Sequence, residues 1–237
     1  MVILVDYDNI LMQDRSPGLV YVADRILQAI GPAAFTANER VRFRLYGGWY
    51  KGNILTRNAQ DLSAEITGNF SRPAMVSNTT ATLTVTAAVE MAFSLEVSPA
   101  KHLVHTFRQR NRPTGIGFAD PITHVPCRVP GCRLLPLRDA INKDQCPEVG
   151  CPTKPSDLLT RDEQKLVDTM LISDLIFLAH VGEKQVVVVS SDDDMWPGIE
   201  TALALGASVI RIHTRSRALA STTYLAGVGP QYVQRGI

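Results

Sequence analysis

Runs of apolar residues in the first part of the chain predict strands that alternate with helices. The predicted elements are strands at residues 2–5 and 41–49 and helices at residues 19–30 and 54–66. The first strand has no polar position before Asp6, which is typical of a central strand covered on both faces. Gly31-Pro32 and Gly68 provide the expected helix ends.

The middle of the chain follows a different pattern. Every odd position from 83 to 97 is apolar, whereas most even positions are Thr, Ser, Glu or Ala, and this period of two predicts β structure. One straight strand of this length would extend for about 50 Å, so we expect a bend or a break. Residues 115–155 are rich in Pro, Gly and Cys and show no clear period.

Alternation returns in the last part of the chain. Thr160-Arg161-Asp162-Glu163 matches a helix capping box and predicts a helix up to about His180. The elements predicted after it are a strand at residues 185–190, a helix at 196–205 and a strand at 208–213. Strands alternating with helices predict an α/β fold with a mainly parallel central sheet between two helical layers. We predict that residues 1–77 and 157–237 form this domain and that residues 78–156 are a β-containing insertion.

Composition excludes several classes of protein. Of 237 residues, 45% are hydrophobic and 20% are charged, so the chain is globular rather than disordered. Its apolar runs are far shorter than the roughly 20 residues of a membrane-spanning helix, and its start lacks the charge of a signal peptide. We expect a cytoplasmic protein without a membrane partner, and homo-oligomer formation remains open.

Acidic side chains follow two of the predicted strands. Asp6-Tyr7-Asp8-Asn9 ends the first strand, Asp192-Asp193-Asp194 follows the strand at 185–190, and Asp168 lies in the second turn of the predicted capped helix. The carboxyl ends of parallel strands meet at one edge of a sheet, where clustered carboxylates repel unless a cation neutralises them. Oxygen ligands suit Mg²⁺ or Mn²⁺, which bind phosphates and activate water. The alternative is that these acids are ordinary turn and cap residues.

Two neighbouring acids are expected to have other roles. Asp193 lies between Asp192 and Asp194, so its side chain should point away from theirs as an exposed cap. Asp174 follows Asp168 by six residues, which on an ideal helix corresponds to about 120° of rotation and about 9 Å along the axis. We therefore expect Asp168 to face the metal and Asp174 to be structural or supporting.

Three segments of the chain share an ordered pattern with a known family. They are Val2-Ile3-Leu4-Val5-Asp6-Tyr7-Asp8-Asn9-Ile10, then Gln164-Lys165-Leu166-Val167-Asp168 continuing to Asp174, and finally Val187-Val188-Val189-Ser190-Ser191-Asp192-Asp193-Asp194 with Trp196-Pro197 and Leu205-Gly206-Ala207-Ser208-Val209 after it. This pattern resembles the NYN domain, a branch of the PIN-like nuclease superfamily. The resemblance implies a PIN-like fold and a Mg²⁺- or Mn²⁺-dependent ribonuclease. It also implies a set of functional residues: Asp6, Asp168, Asp192 and Asp194 as catalytic metal ligands, with Asn9 supporting them.

The chain departs from the NYN pattern at two positions. Ser191 replaces the usual Gly, and Met195 replaces the usual aromatic residue. Serine is small, so we expect the site to remain active. The long middle segment has no counterpart in the minimal family pattern and leaves the choice of substrate open.

The same acids also resemble a second superfamily. Asp6-Tyr7-Asp8 after a hydrophobic strand resembles the first motif of haloacid-dehalogenase-like phosphatases, and Asp192-Asp193-Asp194 resembles their last motif. In that alternative Asp6 would be the nucleophile and Asp8 the general acid. Asn9 directly after Asp8, and Gly47-Gly48 instead of Ser or Thr after the second strand, depart from that pattern.

All four cysteines of the chain lie in two similar pairs. Cys127 and Cys132, like Cys146 and Cys151, are spaced Cys-x-x-x-Gly-Cys, with 13 residues between the pairs. Glycine before the second Cys permits a tight turn, and two such turns predict a closed tetrahedral Zn²⁺ site of a structural type. Two disulfides and unrelated buried thiols are the alternatives. His102 and His105 are interpreted as basic-surface or packing residues.

Charge is segregated along the chain although the net charge is only +1. Residues 101–138 have seven basic residues and one acid, whereas residues 157–200 have three basic residues and ten acids. A basic segment that holds phosphates and an acidic segment that holds metal ions suit a nucleic-acid-cleaving enzyme. The candidate nucleic-acid-binding residues are Lys101, Arg108, Arg110, Arg112, Arg128 and Arg133, with Phe107 as a ring that could stack on a base.

The sequence as a whole predicts metal-dependent hydrolysis of phosphodiester bonds, with RNA preferred over DNA as the partner and substrate. Three alternatives remain open: the phosphatase, a non-catalytic RNA-binding NYN protein, and solvated surface as the only role of the arginine-rich segment.

Overall fold

The computed structural model describes residues 1–110, 134–159, 161–215 and 228–237. Its strands are β1 (Val2–Asp6), β2 (Arg40–Tyr46), β3 (Tyr50–Lys51), β4 (Ile54–Leu55), β5 (Arg72–Ser77), β6 (Thr82–Met91), β7 (Phe107–Arg110), β8 (Arg161–Gln164), β9 (Gln185–Val189), β10 (Ser208–His213) and β11 (Tyr232–Gly236). Its helices are α1 (Met12–Arg15), α2 (Leu19–Ile30), α3 (Arg57–Asn69), α4 (Leu134–Lys143), α5 (Pro155–Leu158), α6 (Val167–His180) and α7 (Trp196–Ala204).

The predicted α/β fold is confirmed. In the described part of the chain, one large sheet has the strand order β11-β10-β9-β1-β2-β6-β5. Its neighbouring strands are parallel, except that β5 and β6 are antiparallel. Strand β1 lies in the middle, where its register pairs Asp6 with Tyr46 of β2 and Val5 with Val189 of β9. The strand ends that carry Asp6 and the acids after β9 are therefore neighbours.

Helices cover both faces of this sheet because successive side chains of a central strand point to opposite faces. Ile3 belongs to the core formed with Ile26 of α2 and Leu62 of α3. Leu4 belongs to the core on the other face, formed with Leu171 of α6 and with residues of α7. The four apolar residues of β1 are therefore divided between two cores that both include helical residues, which explains why this strand has no polar position before its end.

The predicted start of the helix at the capping box is wrong. Arg161–Gln164 form the strand β8, and α6 begins only at Val167. Leu166 has a φ of 69°, in the left-handed region, and this turn separates the extended segment from the helix. Asp168 consequently lies in the first turn of α6, not in the second turn that the sequence predicted.

The second predicted strand is shorter than expected because β2 ends at Tyr46. A small antiparallel hairpin of β3 and β4 follows, in which Tyr50 pairs with Leu55. Helix α3 then begins at Arg57, after Thr56 accepts a hydrogen bond from the Ala59 N–H. Strand β3 lies between the predicted strand and the predicted helix, and β4 occupies the two residues that were predicted to start the helix.

The segment with alternating apolar residues in the middle of the chain contributes a strand to the main sheet. Strand β6 ends at Met91, which confirms the expected break, and it lies between β2 and β5 with Val85 and Ala87 buried. An insertion that begins at residue 78 is therefore wrong. The chain forms one compact unit of Met1–Thr106 with Gln164–Ile237, and a second unit of Phe107–Glu163.

The second unit contains helices that the sequence analysis did not predict, α4 and α5. Ser156, in the first turn of α5, donates from its backbone N–H and its hydroxyl to the Asp144 carboxylate, over 2.9 and 2.8 Å. This contact ties α5 to the end of α4. None of the helices in the described residues has the length and apolar character needed to cross a membrane.

Candidate active site

Asp6 is buried at the carboxyl end of the central strand. Its side chain is only 3% exposed, and its Oδ2 accepts a hydrogen bond of 3.0 Å from the Ser190 hydroxyl. Ser190 directly follows β9, the parallel neighbour of β1, so the sheet register places the two side chains together. A buried carboxylate at this edge requires a compensating group, because burial penalises its charge.

The surroundings of Asp6 favour its protonated form when no cation is present. Burial is the largest cause that raises the pKa of Asp6, to about 7, and the nearby Asp168 carboxylate is the second. Asp8 and Asp192 raise it further, whereas the Ser190 hydrogen bond opposes the change. The structure thus brings acids from three separate segments into one electrostatic environment, as the sequence predicted.

Asp168 extends this environment from the first turn of α6. Burial raises its pKa, and the nearby Asp192 and Asp194 carboxylates raise it further. Asp192 and Asp194 themselves are exposed. The predicted metal ligands therefore differ in burial: Asp6 is buried, Asp168 is half-buried, and Asp192 and Asp194 are exposed.

Asn9 connects the two strand ends. Its Nδ2 donates to Asp192 Oδ2 over 3.4 Å, and its Oδ1 accepts from the Ser191 N–H and the Thr214 hydroxyl over 3.1 and 2.7 Å. The amide thus orients the loop that carries Asp192. This geometry agrees with the supporting role that the sequence analysis expected for Asn9.

Three residues that hold this loop were missed by the sequence analysis: Ser190, Arg211 and Thr214. The Ser190 hydroxyl, which donates to Asp6, also accepts from the Asp192 N–H over 3.1 Å. The Arg211 guanidinium donates to the carbonyls of Ser190 and Asp192 over 3.2 and 2.7 Å. Arg211 and Thr214 belong to β10 and its end, beside β9, so only the strand order could have indicated their contribution.

Ser191 has a contact that a glycine could not make. Its hydroxyl accepts hydrogen bonds from the N–H groups of Thr214 and Arg215 over 2.8 and 3.0 Å. The departure from the NYN pattern therefore fixes the loop after β9 to the end of β10. Met195, the second departure, is fully buried in the core beneath α6 and α7.

Asp8 is held by its protein neighbours on both oxygens. Its Oδ2 accepts from the Gly48 N–H and the Gln164 side chain over 2.8 and 2.6 Å, while Arg15 lies 3.5 Å from Oδ1. Burial raises the pKa of Asp8, and the Gly48 N–H and Arg15 oppose that change. These contacts give Asp8 a positioning role at the turn after β2, which is less suited to a general acid that must reach a leaving group.

Asp174 and Asp193 lie where the sequence analysis expected them. Asp174 is 0% exposed and binds Arg44 Nε, the Tyr46 hydroxyl and the Glu96 N–H over 3.0, 2.6 and 2.8 Å. All of its contacts are therefore structural. The Asp193 side chain is 54% exposed and lies 3.6 Å from the Arg211 guanidinium.

The acids are neighbours, but they do not form a complete coordination shell. Within residues 1–110, 134–159, 161–215 and 228–237, no three His, Cys, Asp or Glu side chains are grouped closely enough to hold one metal ion. The donor set nevertheless fits a hard cation, because it consists of carboxylate oxygens around a buried acid whose charge is unfavourable without a counter-ion.

Two of the four predicted zinc ligands belong to the described part of the second unit. Cys146 and Cys151 are free thiols, and the Thr153 N–H and the Cys146 thiol lower the pKa of Cys151. A lowered pKa favours the thiolate, which is the form that binds metal. Cys127 and Cys132 lie outside the described residues.

The predicted nucleic-acid-binding residues are only partly described. Lys101 is an exposed residue of the first unit, and Arg108 is an exposed residue of the second unit. Arg110 belongs to β7, but its side chain is not described. Arg112, Arg128 and Arg133 lie outside the described residues.

Comparison of the chain with models of known families, with curated proteins and with solved structures finds no match. The family resemblance therefore stays a prediction from the residues themselves.

Proposed function

We propose that the protein is a metal-dependent nuclease that hydrolyses phosphodiester bonds, with RNA as the preferred substrate. The observation that carries the proposal is the position of Asp6, buried at the end of the central strand and surrounded by carboxylates of Asp168, Asp192 and Asp8. A fold that buries one acid beside several others benefits from a cation at that place.

The cation would be Mg²⁺ or Mn²⁺, held by Asp6, Asp168, Asp192 and Asp194. Bound there, it would supply the charge that activates water and stabilises the leaving oxygen of a phosphodiester. Other residues orient these ligands. Ser190 donates to Asp6 and Asn9 donates to Asp192, while Arg211 binds the backbone carbonyls of Ser190 and Asp192. The same arrangement supports assignment to the PIN-like fold with an NYN domain.

The assignment of a nucleic-acid substrate depends on charge, whereas the preference for RNA comes from the resemblance to the NYN domain. The segment 101–138 has a net charge of +6, with Lys101 and Arg108 exposed. Contacts to phosphates make a large contribution to nucleic-acid affinity, so these residues would hold the substrate. We further propose that Cys127, Cys132, Cys146 and Cys151 bind one Zn²⁺ that stabilises the second unit.

A panel of substrates tests the function. Purified protein is incubated with labelled RNA, single-stranded DNA and a generic phosphate ester, each with Mn²⁺ or with EDTA. The proposal predicts internal cleavage of RNA that requires Mn²⁺. Hydrolysis of the phosphate ester alone, with fluoroberyllate trapped at Asp6, would instead support the phosphatase. RNA binding without any cleavage would support a non-catalytic protein.

A further inference from the structure

Three rings form a partly exposed cluster in the first unit. The Tyr50 and Phe93 rings are 5.6 Å apart in an edge-to-face arrangement, and the Phe93 and His102 rings are 5.7 Å apart. The Tyr50 hydroxyl lies 3.5 Å from His102 Nδ1. Tyr50 and Phe93 are half-buried against the core, whereas His102 is exposed. Phe93 thus contacts both other rings, and His102 is the member of the cluster that is exposed to solvent.

The backbone connects this cluster to the acidic edge of the sheet. Gly48, whose N–H donates to Asp8, precedes Tyr50 by two residues. The Tyr50 N–H donates to the Thr106 hydroxyl, and the Lys165 N–H donates to the Thr106 carbonyl, each over 2.9 Å. Lys165 precedes Asp168 by three residues. The segments that carry the rings therefore adjoin the segments that carry two of the acids.

An exposed cation adjoins the rings in sequence. Lys101 directly precedes His102, and its side chain is exposed. The acids nearest to Phe93 in sequence, Glu90 and Glu96, are both paired with arginines. Glu90 lies 2.8 Å from Arg42 and 2.7 Å from Arg44, and Glu96 lies 3.4 Å from Arg44 and also pairs with Arg42. Rings beside exposed cations are the arrangement that proteins use to bind single-stranded nucleic acid, where bases stack and phosphates pair with the cations.

We propose that Tyr50, Phe93 and His102 form a stacking subsite for one base of a single-stranded nucleic acid, with Lys101 holding an adjacent phosphate. The inference rests on the proposed nuclease function and deepens it, because it selects single-stranded segments as substrate. Bases inside a duplex already stack on each other and leave no free face for a protein ring.

Binding to strands with and without bases tests the subsite. Fluorescence anisotropy in EDTA measures the affinity for a short labelled single strand and for an abasic strand of the same length, so that cleavage does not interfere. The wild-type protein is expected to bind the strand with bases at least about fivefold more tightly. His102→Ala should reduce this ratio towards one, and His102→Phe should retain it because a ring remains.

A charge variant separates stacking from phosphate contacts. Lys101→Ala should weaken binding of both strands to the same extent and lower the salt dependence of the affinity. Equal wild-type affinity for the two strands, or an unchanged ratio in His102→Ala, would overturn the stacking subsite and leave the proposed hydrolysis standing. Failure to bind or cleave either kind of strand under any condition would overturn the nuclease proposal itself.

Discussion

At the scale of single residues, Asp6 is a carboxyl group whose charged form is disfavoured by burial. Asp6 has a pKa of about 7 in the folded protein, against an ordinary value of 3.8. The folded state therefore binds this proton more tightly than the unfolded state does. Without metal, the contribution of Asp6 to stability is most favourable below about pH 4 and is lost as the pH rises through 7.

Replacing Asp6 by Asn should stabilise the metal-free protein at pH 8, because it removes the buried charge and retains an oxygen that accepts from Ser190. At pH 4 the difference between the variant and the wild type should be small, since Asp6 is then largely protonated. Thermal denaturation in EDTA at the two pH values measures the difference in stability between the variant and the wild type. An Asn variant that is less stable than the wild type by the same amount at both values would refute the burial of a charged Asp6.

Gly47 provides a second residue-scale prediction, because no side chain fits between its neighbours. A Cβ there would lie 2.6 Å from the Trp49 ring and 2.8 Å from Asp8 Oδ2, whereas a Cβ at Gly68 meets nothing within 4 Å. Gly47→Ala should lower the free energy of unfolding by about 1–3 kcal/mol. Gly68→Ala, in helix α3, should raise it by about 0.5–1 kcal/mol. Urea denaturation compares the two, and equal effects would contradict the packing at Gly47.

The acids of the site could be predicted from the sequence, but the residues that hold them in place could not. Asp6 and Asp192 directly follow predicted strands, so a shared edge of a parallel sheet could be inferred for them, whereas the role of Asp168 was implied by the family resemblance. Ser190 and Arg211 are ordinary residues in sequence, and they acquire a role only because β9 lies between β1 and β10 in the sheet. Hydrogen bonds between strands far apart in the chain leave no local pattern.

At the scale of elements, helix α6 is fixed to the sheet by a buried charge. Asp174 of α6 is paired with Arg44 and hydrogen bonded to Tyr46, both of β2. The same helix carries Asp168, so this contact also positions one of the candidate metal ligands. Sequence reasoning predicted that Asp174 is structural from its angle on the helix, but it could not identify Arg44 as the partner.

Removal of Asp174 should be strongly destabilising. Asp174→Ala leaves the Tyr46 hydroxyl and the Glu96 N–H without their acceptor and removes one of the carboxylates paired with Arg44, which is expected to lower the free energy of unfolding by about 3–5 kcal/mol. Asp61→Ala removes an exposed helix pair with Arg57 and should change it by less than about 1 kcal/mol. Urea denaturation measures both variants, and similar small losses would contradict a buried pair.

Two elements differ from their sequence-based assignments for different reasons. Arg161–Gln164 have the composition of a helix start, yet they form the strand β8 and the chain turns only at Leu166. The period-two residues of β6 are part of the main sheet because they pair with β2. In β8 the extended conformation outweighs the local preference for a helix start, whereas in β6 the local pattern predicted β structure correctly but could not identify β2 as its partner.

At the scale of the whole molecule, two compact units separate the proposed chemistry from the proposed zinc site. The first unit contains Asp6, Asp168, Asp192 and Asp194, and the second contains Cys146 and Cys151. The near-zero net charge of the chain hides this division, because the acidic and basic segments nearly cancel. Composition alone therefore gave no indication of a nucleic-acid partner, whereas the distribution of charge did.

Zinc should be present in the purified protein at about one equivalent and be lost in Cys146→Ser and in Cys151→Ser. The physical reason is that four thiolates complete a tetrahedral site, whereas three leave it open. Metal analysis measures the zinc content of each protein, and thiol titration counts its free cysteines. Less than about half an equivalent of zinc, with the thiols oxidised, would show that the cysteines form disulfides instead.

Cleavage of RNA by matched variants decides whether the clustered acids carry out metal-dependent hydrolysis. Wild-type protein, Asp192→Asn and Glu200→Gln are compared on labelled RNA with Mn²⁺ and with EDTA, after circular dichroism has shown that each variant is folded. Glu200 is an exposed acid of α7 and serves as the control for loss of one negative charge. We expect Mn²⁺-dependent cleavage by the wild type and by Glu200→Gln. The cleavage rate of Asp192→Asn should be lower by at least about 100-fold. Full activity of folded Asp192→Asn, or cleavage that persists in EDTA, would contradict this expectation.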